Sequence, residues 1–356
     1  MSGRTERLEA ALRERELDAL LVGDLVNLRW LTGFTGSNGA AVAGPGLRRF
    51  VTDFRYLSQA ADEVGAEWGR AEIASDALGR AVEAGLPARV GFEDDHLSVR
   101  QHAKLVAAAG EGVELVAAGG LVEELRLVKE PEEIALIRAA ARVADEAFRE
   151  VVVEGGIVGR TERDVALDLE VAMRRRGAEG PSFPPIVAAG AHGALPHAQP
   201  RDVPIPPGTL VVIDFGAQKD GYASDCTRTV ATGDVDPRDR EVYELVLRAQ
   251  VEALAAVRPG PVGREVDAVA RGIIDAAGHA EHFGHGLGHG VGLDVHEEPR
   301  LSKQGETALA EGHIVTVEPG VYLPGQVGVR IEDLVAVTAD GHEVLSSLPK
   351  ELWTVR

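Results

Sequence analysis

The segment VVIDFGAQKDGYASDCTRTV, residues 211–230, is the feature that most restricts the fold of this chain. Two apolar runs flank Asp220 and Gly221, a dipeptide that two-residue hairpin turns favour because it tolerates positive φ. With these two residues as the loop, Asp225 lies diagonal to Asp214, whereas a loop shifted by one residue pairs the two aspartates directly. In either register both carboxylates share one face of the hairpin, unless a bulge changes the parity.

Two like charges on one face of a sheet repel each other. A bound metal ion removes this repulsion. The alternative is that one aspartate is a turn residue and the other is a solvated strand position. The hairpin alone leaves both interpretations open.

A second pair of acidic residues lies in HIVTVEPGVYLPGQVGVRIEDLVAV, residues 313–337. Glu318 ends one predicted strand and Glu332 lies inside another, across a Pro-Gly turn. Acidic residues in buried strands need a partner, and for Glu332 a structural ion pair with Arg330 is the alternative to a ligand role. Together with the two aspartates, these carboxylates indicate a site for a hard cation with oxygen ligands.

Histidines cluster in HFGHGLGHGVGLDVHE, residues 282–297, where five glycines alternate with other residues. The segment contains neither G-x-G-x-x-G nor H-E-x-x-H, which excludes two common motifs. Glycines let the backbone pack closely against a neighbour while the imidazoles project. Beside a carboxylate cage His289 is the candidate nitrogen ligand, and His285 and His296 are then free to handle protons and a developing oxyanion.

Two further histidines lie in the loop GAHGALPHAQP, residues 190–200. His197 either faces a cleft or caps a turn, and the sequence alone favours the turn. His192 is expected at the loop surface.

Four carboxylates and one imidazole are too many ligands for one ion once two carboxylates bridge. A two-metal centre with a shared hydroxide is the simplest arrangement. Such a centre polarises a carbonyl group and presents a nucleophile at neutral pH, which predicts hydrolysis of an amide or ester. Oxygen-rich ligation favours Mn²⁺, with Co²⁺ or Zn²⁺ as alternatives.

The composition argues against several kinds of partner. With 37 Lys and Arg against 57 Asp and Glu, the net charge is −20, so nucleic acid and anionic membranes are poor candidates. No stretch approaches 18 uninterrupted apolar residues, and the first residues are charged where a signal peptide is apolar, which predicts a cytoplasmic protein. The single cysteine, Cys226, excludes an intrachain disulfide and suits a reducing compartment.

The chain is longer than one hydrophobic core usually supports, so two domains are expected. VNLRWLTGFTGSNGAAVAG and LRRFVTDFRYLSQAA are predicted strands of an N-terminal sheet with helices on it, in a domain spanning residues 1–127. Pro131 followed by two glutamates suits the first turn of a helix, which places the second domain at 128–356. There, helical stretches are interleaved with strand pairs, an α+β pattern.

The whole pattern resembles the proline-specific branch of the pita-bread metallopeptidases, the group containing aminopeptidase P, prolidase and methionine aminopeptidase. The resemblance rests on IDFGA with SDCTRT, GHGLGHGVGLDVHE, VEPGVY and GVRIED, in that order. It implies an α+β pita-bread catalytic domain behind a smaller α/β domain of the creatinase/prolidase type.

The resemblance also implies a role for each ligand candidate, carried over position by position. Asp214 would chelate one metal ion, while Asp225 and Glu332 bridge two. His289 and Glu318 would hold the other ion. Glu318 would also accept a proton from the bridging water.

The remaining candidates match substrate-side positions of the same family. His197, His285 and His296 match histidines that orient the scissile carbonyl and stabilise the tetrahedral intermediate. Arg330 matches an arginine near the Glu332 bridge. The family further implies a homodimer.

The N-terminal domain separates the subgroups of this branch. Methionine aminopeptidases lack such a domain. NLRWLTGFTGSNGA and TDFRY resemble aminopeptidase P, whereas GALPH in the catalytic half also resembles small microbial prolidases. The sequence thus favours an Xaa-Pro aminopeptidase acting on peptides with proline in the second position, with Xaa-Pro dipeptidase as the alternative. A metal-free or non-catalytic member of the fold is a more distant alternative, because all five ligand positions are filled.

Overall fold

A computed structural model describes residues 2–73, 77–83 and 85–356 of the chain. Contacts divide the chain into two compact units, Met1–Arg126 and Leu127–Arg356. The predicted domain boundary, one residue further along, remains a proposal. No helix in the described ranges is long and apolar enough to cross a membrane.

The N-terminal unit is built on one mixed sheet. Its strands are β1 (Ala19–Val22), β2 (Gly39–Gly44), β3 (Leu47–Asp53), β4 (Gly69–Ile73), β5 (Arg89–Phe92) and β6 (Glu114–Ala117). Its helices are α1 (Ser2–Glu14), α2 (Leu25–Thr32), α3 (Leu57–Glu63), α4 (Ala77–Glu83), α5 (Val99–Ala109) and α6 (Leu121–Arg126). The described strands follow the order β4-β3-β2-β1-β5-β6, with β1, β2 and β3 antiparallel and the other pairs parallel. The expected α/β architecture is confirmed.

Part of the predicted N-terminal strand pattern is helical instead. VNLRWLT lies in α2, where the Asp24 side chain accepts a hydrogen bond from the Val26 N–H and caps the helix. Gly33 ends α2 in the left-handed conformation, with φ of 83°, and its N–H bonds to the Arg29 carbonyl. LSQAA lies in α3. Two caps outweigh the β-like composition of the α2 segment, which is why its predicted strand is wrong.

The second unit, Leu127–Arg356, corresponds to the expected catalytic domain and is hereafter called the catalytic unit; it contains four α-helices and thirteen strands within its described residues. The helices are α7 (Pro131–Phe148), α8 (Glu162–Arg175), α9 (Pro237–Ala255) and α10 (Gly263–Ala276). The strands are β7 (Gly180–Pro181), β8 (Ile186–Ala189), β9 (Leu210–Phe215), β10 (Ala217–Lys219), β11 (Tyr222–Ala223), β12 (Cys226–Ala231), β13 (Gly288–Gly290), β14 (Glu297–Leu301), β15 (Ile314–Val317), β16 (Gly320–Leu323), β17 (Val327–Arg330), β18 (Asp333–Val337) and β19 (His342–Val344).

These elements form two halves, each with helices packed on sheet. In the first half, α7 and α8 pack on the sheet β12-β9-β8, and the rings of Phe148 and Phe215 stack at 5.0 Å within this core. In the second half, α9 and α10 pack on the sheet β14-β13-β15-β18-β19 and the hairpin β16-β17, around Tyr243 and Val246. The predicted α+β pattern of the catalytic unit is confirmed.

A buried ion pair joins the two halves. Arg228 of β12 donates from Nη2 to Asp333 Oδ1 of β18 at 2.8 Å, and both side chains are nearly inaccessible to solvent. The bond places the start of β12 beside the start of β18. The metal-ligand candidates lie along this seam.

Candidate metal centre

The predicted hairpin is present, with the register of a two-residue loop. Asp220 and Gly221 form the loop, with φ of 50° and 83°. Asp214 in β9 lies opposite Thr227 in β12. Asp225, two residues before Thr227, therefore shares a face with Asp214. The prediction with the loop at these two residues is confirmed, and the register shifted by one residue is wrong.

Three carboxylates meet beside this hairpin. Asp214, Asp225 and Glu332 each offer one oxygen, and these oxygens all lie within 4.8 Å of one another. Glu332 is not inside a strand, as the sequence predicted, but lies in the two-residue break between β17 and β18. At this break the chain leaves one sheet for another, and the Glu332 N–H bonds to the Thr227 carbonyl at 3.1 Å. That bond sets Glu332 beside the two aspartates.

His289 and Glu318 bring their side chains to the same cluster from the second half. His289 lies in β13, and Glu318 directly follows β15. His289 Nε2 is 3.3 Å from Glu318 Oε1 and 3.6 Å from Asp225 Oδ2. His289 Nδ1 is 3.0 Å from the Gly290 carbonyl, which only accepts hydrogen bonds, so Nδ1 carries the proton. Nε2 is left with the lone pair that a metal ion needs.

The glycines beside His289 are explained by the neighbouring strands. A Cβ atom on Gly288 would lie 2.0 Å from the Thr316 carbonyl oxygen, and one on Gly290 would lie 2.1 Å from the Glu298 carbonyl oxygen. Only glycine allows these approaches. The prediction of close backbone packing is confirmed, and the packing partner is the sheet itself.

The electrostatics of the cluster fit a divalent cation. Asp214 Oδ1 and Glu332 Oε1 are buried and have no hydrogen-bond partner among the described residues. Burial, followed by repulsion from neighbouring carboxylates, raises the pKa of Asp225 and of Glu332 well above the ordinary range. Buried anionic oxygens without donors are satisfied by a hard cation, and one imidazole nitrogen completes a donor set of the kind such ions take.

Arg330 contacts the cluster, but its ionic partner is Asp214 and not Glu332. Arg330 Nη2 donates to Asp214 Oδ2 at 2.6 Å, and Nη1 donates to Tyr322 Oη at 2.8 Å. Its Nε donates to Thr227 Oγ1 at 3.0 Å, and the Thr227 hydroxyl donates to Glu332 Oε2 at 2.7 Å. Strand β17 ends at Arg330, so Glu332 does not lie on the same strand face as Arg330. The hydrogen-bond connection between these two side chains therefore passes through the Thr227 hydroxyl.

Tyr322 is a site residue that the sequence reasoning missed. Its hydroxyl lies 2.9 Å from His285 Nε2. His285 Nδ1 is 2.7 Å from the Gly286 carbonyl, so Nδ1 carries the proton and Nε2 accepts from Tyr322. Tyr322 could have been found from the two-residue periodicity of side chains along a strand. Arg330 lies opposite Gly320 in the β16-β17 hairpin, so Tyr322, two residues after Gly320, lies on the same face as Arg330.

One cavity of about 560 Å³ brings all nine predicted site residues together. They are His197, Asp214, Asp225, His285, His289, His296, Glu318, Arg330 and Glu332. Burial lowers the pKa of His285 and of His296 below the ordinary value, so both rings are neutral at pH 7. The His296 ring lies 4.3 Å from that of His289, centroid to centroid. The cavity thus holds carboxylates, imidazoles and the guanidinium groups of Arg300 and Arg330 in one space.

Comparisons with known proteins place the chain in a family. Metallopeptidase family M24 matches residues 135–339, and the Creatinase/Prolidase N-terminal domain matches residues 4–128. The Xaa-Pro dipeptidase of Pyrococcus furiosus is 45% identical over 232 residues, which are 65% of this chain and 66% of that protein. A solved Xaa-Pro dipeptidase from Bacillus anthracis is 37% identical with a TM-score of 0.94, covering 99% of both chains.

A solved X-Pro aminopeptidase from Thermotoga maritima is 35% identical with a TM-score of 0.89, covering 97% of this chain and 100% of that one. The resemblance inferred from the sequence motifs, and the fold class it implied, are confirmed. This chain belongs to metallopeptidase family M24 and is a metal-dependent peptidase with a creatinase/prolidase domain at its N-terminal side.

Proposed function

We propose that this chain is an Xaa-Pro dipeptidase, which hydrolyses the bond between an N-terminal residue and a C-terminal proline. The Pyrococcus and Bacillus relatives carry that name, which supports the dipeptidase alternative over the Xaa-Pro aminopeptidase that the sequence favoured. The observation that carries the choice is Arg300, which lines the cavity of the metal-ligand candidates. In an Xaa-Pro dipeptide the proline itself carries the free C-terminal carboxylate, and a guanidinium pairs with such a carboxylate.

The surroundings of Arg300 support this role. Its side chain is 44% exposed, and its ion pair with Glu298 has an N–O distance of 3.7 Å, too long for a hydrogen bond. That pair leaves guanidinium N–H groups available to a substrate. Phe183, Pro184 and Pro185 line the same cavity and offer apolar contact to a pyrrolidine ring.

We propose two divalent metal ions per subunit, with Mn²⁺ favoured and Co²⁺ or Zn²⁺ as alternatives. Asp214, Asp225, His289, Glu318 and Glu332 would hold these ions. When bound, such ions polarise the scissile carbonyl and lower the pKa of bound water, so that hydroxide is present at neutral pH.

The chain's own side chains handle protons and the carbonyl oxygen. Glu318 accepts the proton of the attacking water, and the Thr316 hydroxyl, which donates to Oε1 at 3.0 Å, orients its carboxylate. The proline nitrogen is a tertiary amide without N–H and must gain a proton to leave, which Glu318 returns to it.

The three remaining histidines act on the substrate. His197 and His296 donate to the carbonyl oxygen and stabilise the charge that develops there. His285 lines the cavity, and both of its ring nitrogens are engaged, by the Gly286 carbonyl and the Tyr322 hydroxyl, so its ring orients the scissile carbonyl by contact and not by a hydrogen bond. Arg330 holds Asp214 and Tyr322 in place.

The test compares Ala-Pro with Ala-Pro-amide and Ala-Pro-Gly, in Mn²⁺ and with a chelator. We expect metal-dependent cleavage with Ala-Pro preferred. Arg300→Gln should lower kcat/KM for Ala-Pro by about 10- to 100-fold, because it removes a hydrogen bond to a charged group, and should change Ala-Pro-amide cleavage little. Lys303→Gln, which removes an exposed cation three residues away, is the matched control.

Two results contradict the proposal. Preference for Ala-Pro-Gly, with no effect of Arg300→Gln on kcat/KM for Ala-Pro, would instead identify the chain as an Xaa-Pro aminopeptidase. No metal-dependent cleavage of any of the three would support a non-catalytic member of the fold.

We also propose a cytoplasmic homodimer. The single cysteine, Cys226, is buried and unpaired, which suits the compartment, and the 71% exposed Phe54 with the 40% exposed Leu57 three residues later offers apolar surface to a second copy. Sedimentation equilibrium should give twice the chain mass, and cell fractionation should place the peptidase activity in the cytosol. A monomer, or activity outside the cytosol, contradicts the respective point.

A further inference from the structure

A buried carboxylate outside the metal cluster fastens the loop that carries His197. The loop spans residues 190–201, directly after β8, and we name it the histidine loop. It contributes a continuous run of cavity-lining residues, Pro196 to Pro200. The carboxylate belongs to Glu162, the first residue of α8, which is 1% exposed.

Glu162 receives hydrogen bonds from both ends of the histidine loop. Just before the loop, the N–H of Ala189, the last residue of β8, donates to Oε1 at 3.0 Å, and at the end of the loop the Arg201 N–H donates to Oε2 at 3.0 Å. The Arg201 guanidinium adds two further bonds of 3.0 Å, from Nε to Oε2 and from Nη2 to Oε1. One side chain thus closes the loop at its base.

His192 adds a contact from inside the loop. Its Nδ1 lies 2.9 Å from Glu162 Oε2, and its side chain is 8% exposed. The sequence expectation that His192 lies at the surface is therefore wrong. Loop, helix and imidazole all meet at one carboxylate.

Glu162 meets these donors as an anion. Burial raises the pKa of its carboxyl group, but the hydrogen bonds from Arg201 and from the backbone outweigh burial, and the pKa lies below the ordinary value. A carboxylate only accepts hydrogen bonds, whereas a glutamine would turn an NH₂ group toward these donors. The arrangement depends on the charge of Glu162.

The histidine loop is also tied to the metal cluster. Arg330 Nη1 donates to the Pro196 carbonyl at 3.2 Å, one residue before His197. His197 itself is exposed, and within the described ranges no hydrogen bond holds its ring. Its position therefore depends on what fixes the loop.

We propose that Glu162 is a positioning residue, which through Arg201 and His192 holds the histidine loop so that His197 reaches the scissile carbonyl. The catalytic consequence rests on the proposed function, whereas the consequence for the loop does not.

A double-mutant cycle tests the catalytic consequence. Glu162→Gln should lower kcat for Ala-Pro by about 10- to 100-fold, the cost of a misplaced group, with unchanged metal content. In a His197→Ala background the same substitution should change kcat by less than about two-fold, because the group it positions is already gone. Arg201→Gln, a milder variant in case Glu162→Gln fails to fold, should show the same pattern with a smaller loss.

Asp202→Asn is the matched control. It breaks an exposed ion pair with Arg163, which links the same helix to the residue just after the loop. Exposed pairs contribute little, so kcat should change by less than about two-fold.

Hydrogen exchange separates this proposal from the proposed function. The amides of the histidine loop should exchange faster in Glu162→Gln and Arg201→Gln than in wild type, and not in Asp202→Asn. An undiminished loss of kcat in the His197→Ala background, or unchanged loop exchange, overturns the positioning role. If wild type cleaves no Xaa-Pro peptide, the proposed function fails and the exchange rates alone decide the positioning of the loop.

Discussion

Glu93 in the N-terminal unit and the metal-ligand candidates in the catalytic unit use their carboxylate oxygens in opposite ways. In the N-terminal unit Glu93 is 2% exposed and both oxygens are occupied by donors of the chain. Oε2 accepts from the N–H groups of Gly23 and Asp24 at 2.7 and 2.8 Å, and Oε1 accepts from the Asn27 side-chain amide at 2.8 Å. This carboxylate serves the start of helix α2.

In the metal cluster of the catalytic unit, the hydrogen bonds to the carboxylate oxygens are incomplete. Asp214 and Glu332 each leave one oxygen without a donor in the part of the chain that the structure describes, and both line a cavity. Burial alone therefore does not identify a metal ligand. A buried carboxyl group saturated by its own chain fixes local structure, whereas one with an open oxygen on a cavity is available to a cation.

Asp225→Asn is expected to have the largest effect on the metal cluster. We expect loss of bound metal and at least about a 1000-fold loss of kcat, because a metal ion supplies several kcal/mol of transition-state stabilisation. With a chelator present, the variant should unfold at the same temperature as wild type or higher, since the amide removes a buried charge beside other carboxylates. Metal analysis, peptidase assays and thermal unfolding measure these effects; retained metal and activity would contradict the ligand role.

A second test uses the pH dependence of Glu93. Burial raises its pKa from 4.5 to about 7. Between pH 4.5 and about 7 the folded unit keeps a proton on Glu93 that the unfolded chain releases. The contribution of Glu93 protonation to the free energy of unfolding is therefore complete below pH 4.5 and is lost as pH rises to about 7. The N-terminal unit should lose about 3 kcal/mol of unfolding free energy over that range.

Hydrogen exchange in β1 and β5, corrected for intrinsic rates, follows this change. Glu93→Gln removes the titrating group and should reduce the slope of unfolding free energy against pH. An equal slope in the variant would assign the pH dependence to other groups.

The smallest expected effect has the opposite sign and lies in the catalytic unit. His313 is 3% exposed, and burial, followed by the charge of Lys129, lowers its pKa from 6.5 to about 4. The folded unit excludes a proton that the unfolded chain binds below pH 6.5, so stability is lost as pH falls. Between pH 6.5 and 5 the loss should be about 2 kcal/mol. Exchange in β15 measures it, and His313→Gln should abolish the dependence; stability rising in wild-type β15 on acidification would refute the assignment.

The sequence predicted those parts of the site that depend on local pattern. A two-residue Asp-Gly turn sets the register of its own hairpin, so the shared face of Asp214 and Asp225 followed from counting residues. The close packing around Gly288 and Gly290 followed from their lack of a side chain.

Contacts between distant segments were not predictable in this way. Arg330 pairs with Asp214, 116 residues earlier, because β17 ends at Arg330 and only the fold decides which strand lies across from it. Glu162 resembles any acidic residue in the first turn of a helix until the 190–201 loop returns to it. Helix α2 was missed because its two caps were not weighed against a strand-like composition.

The seam between the two halves of the catalytic unit has a consequence for how this protein can change in evolution. Asp214 and Asp225 belong to the first half, His289 and Glu318 to the second, and Glu332 lies where the chain crosses between sheets. Neither half carries a complete donor set, so neither is a transferable module. Recombination that exchanged one half alone would preserve activity only where the partner sequences match along β12 and β18. A bound cation would link the two halves, so its loss would destabilise both halves together.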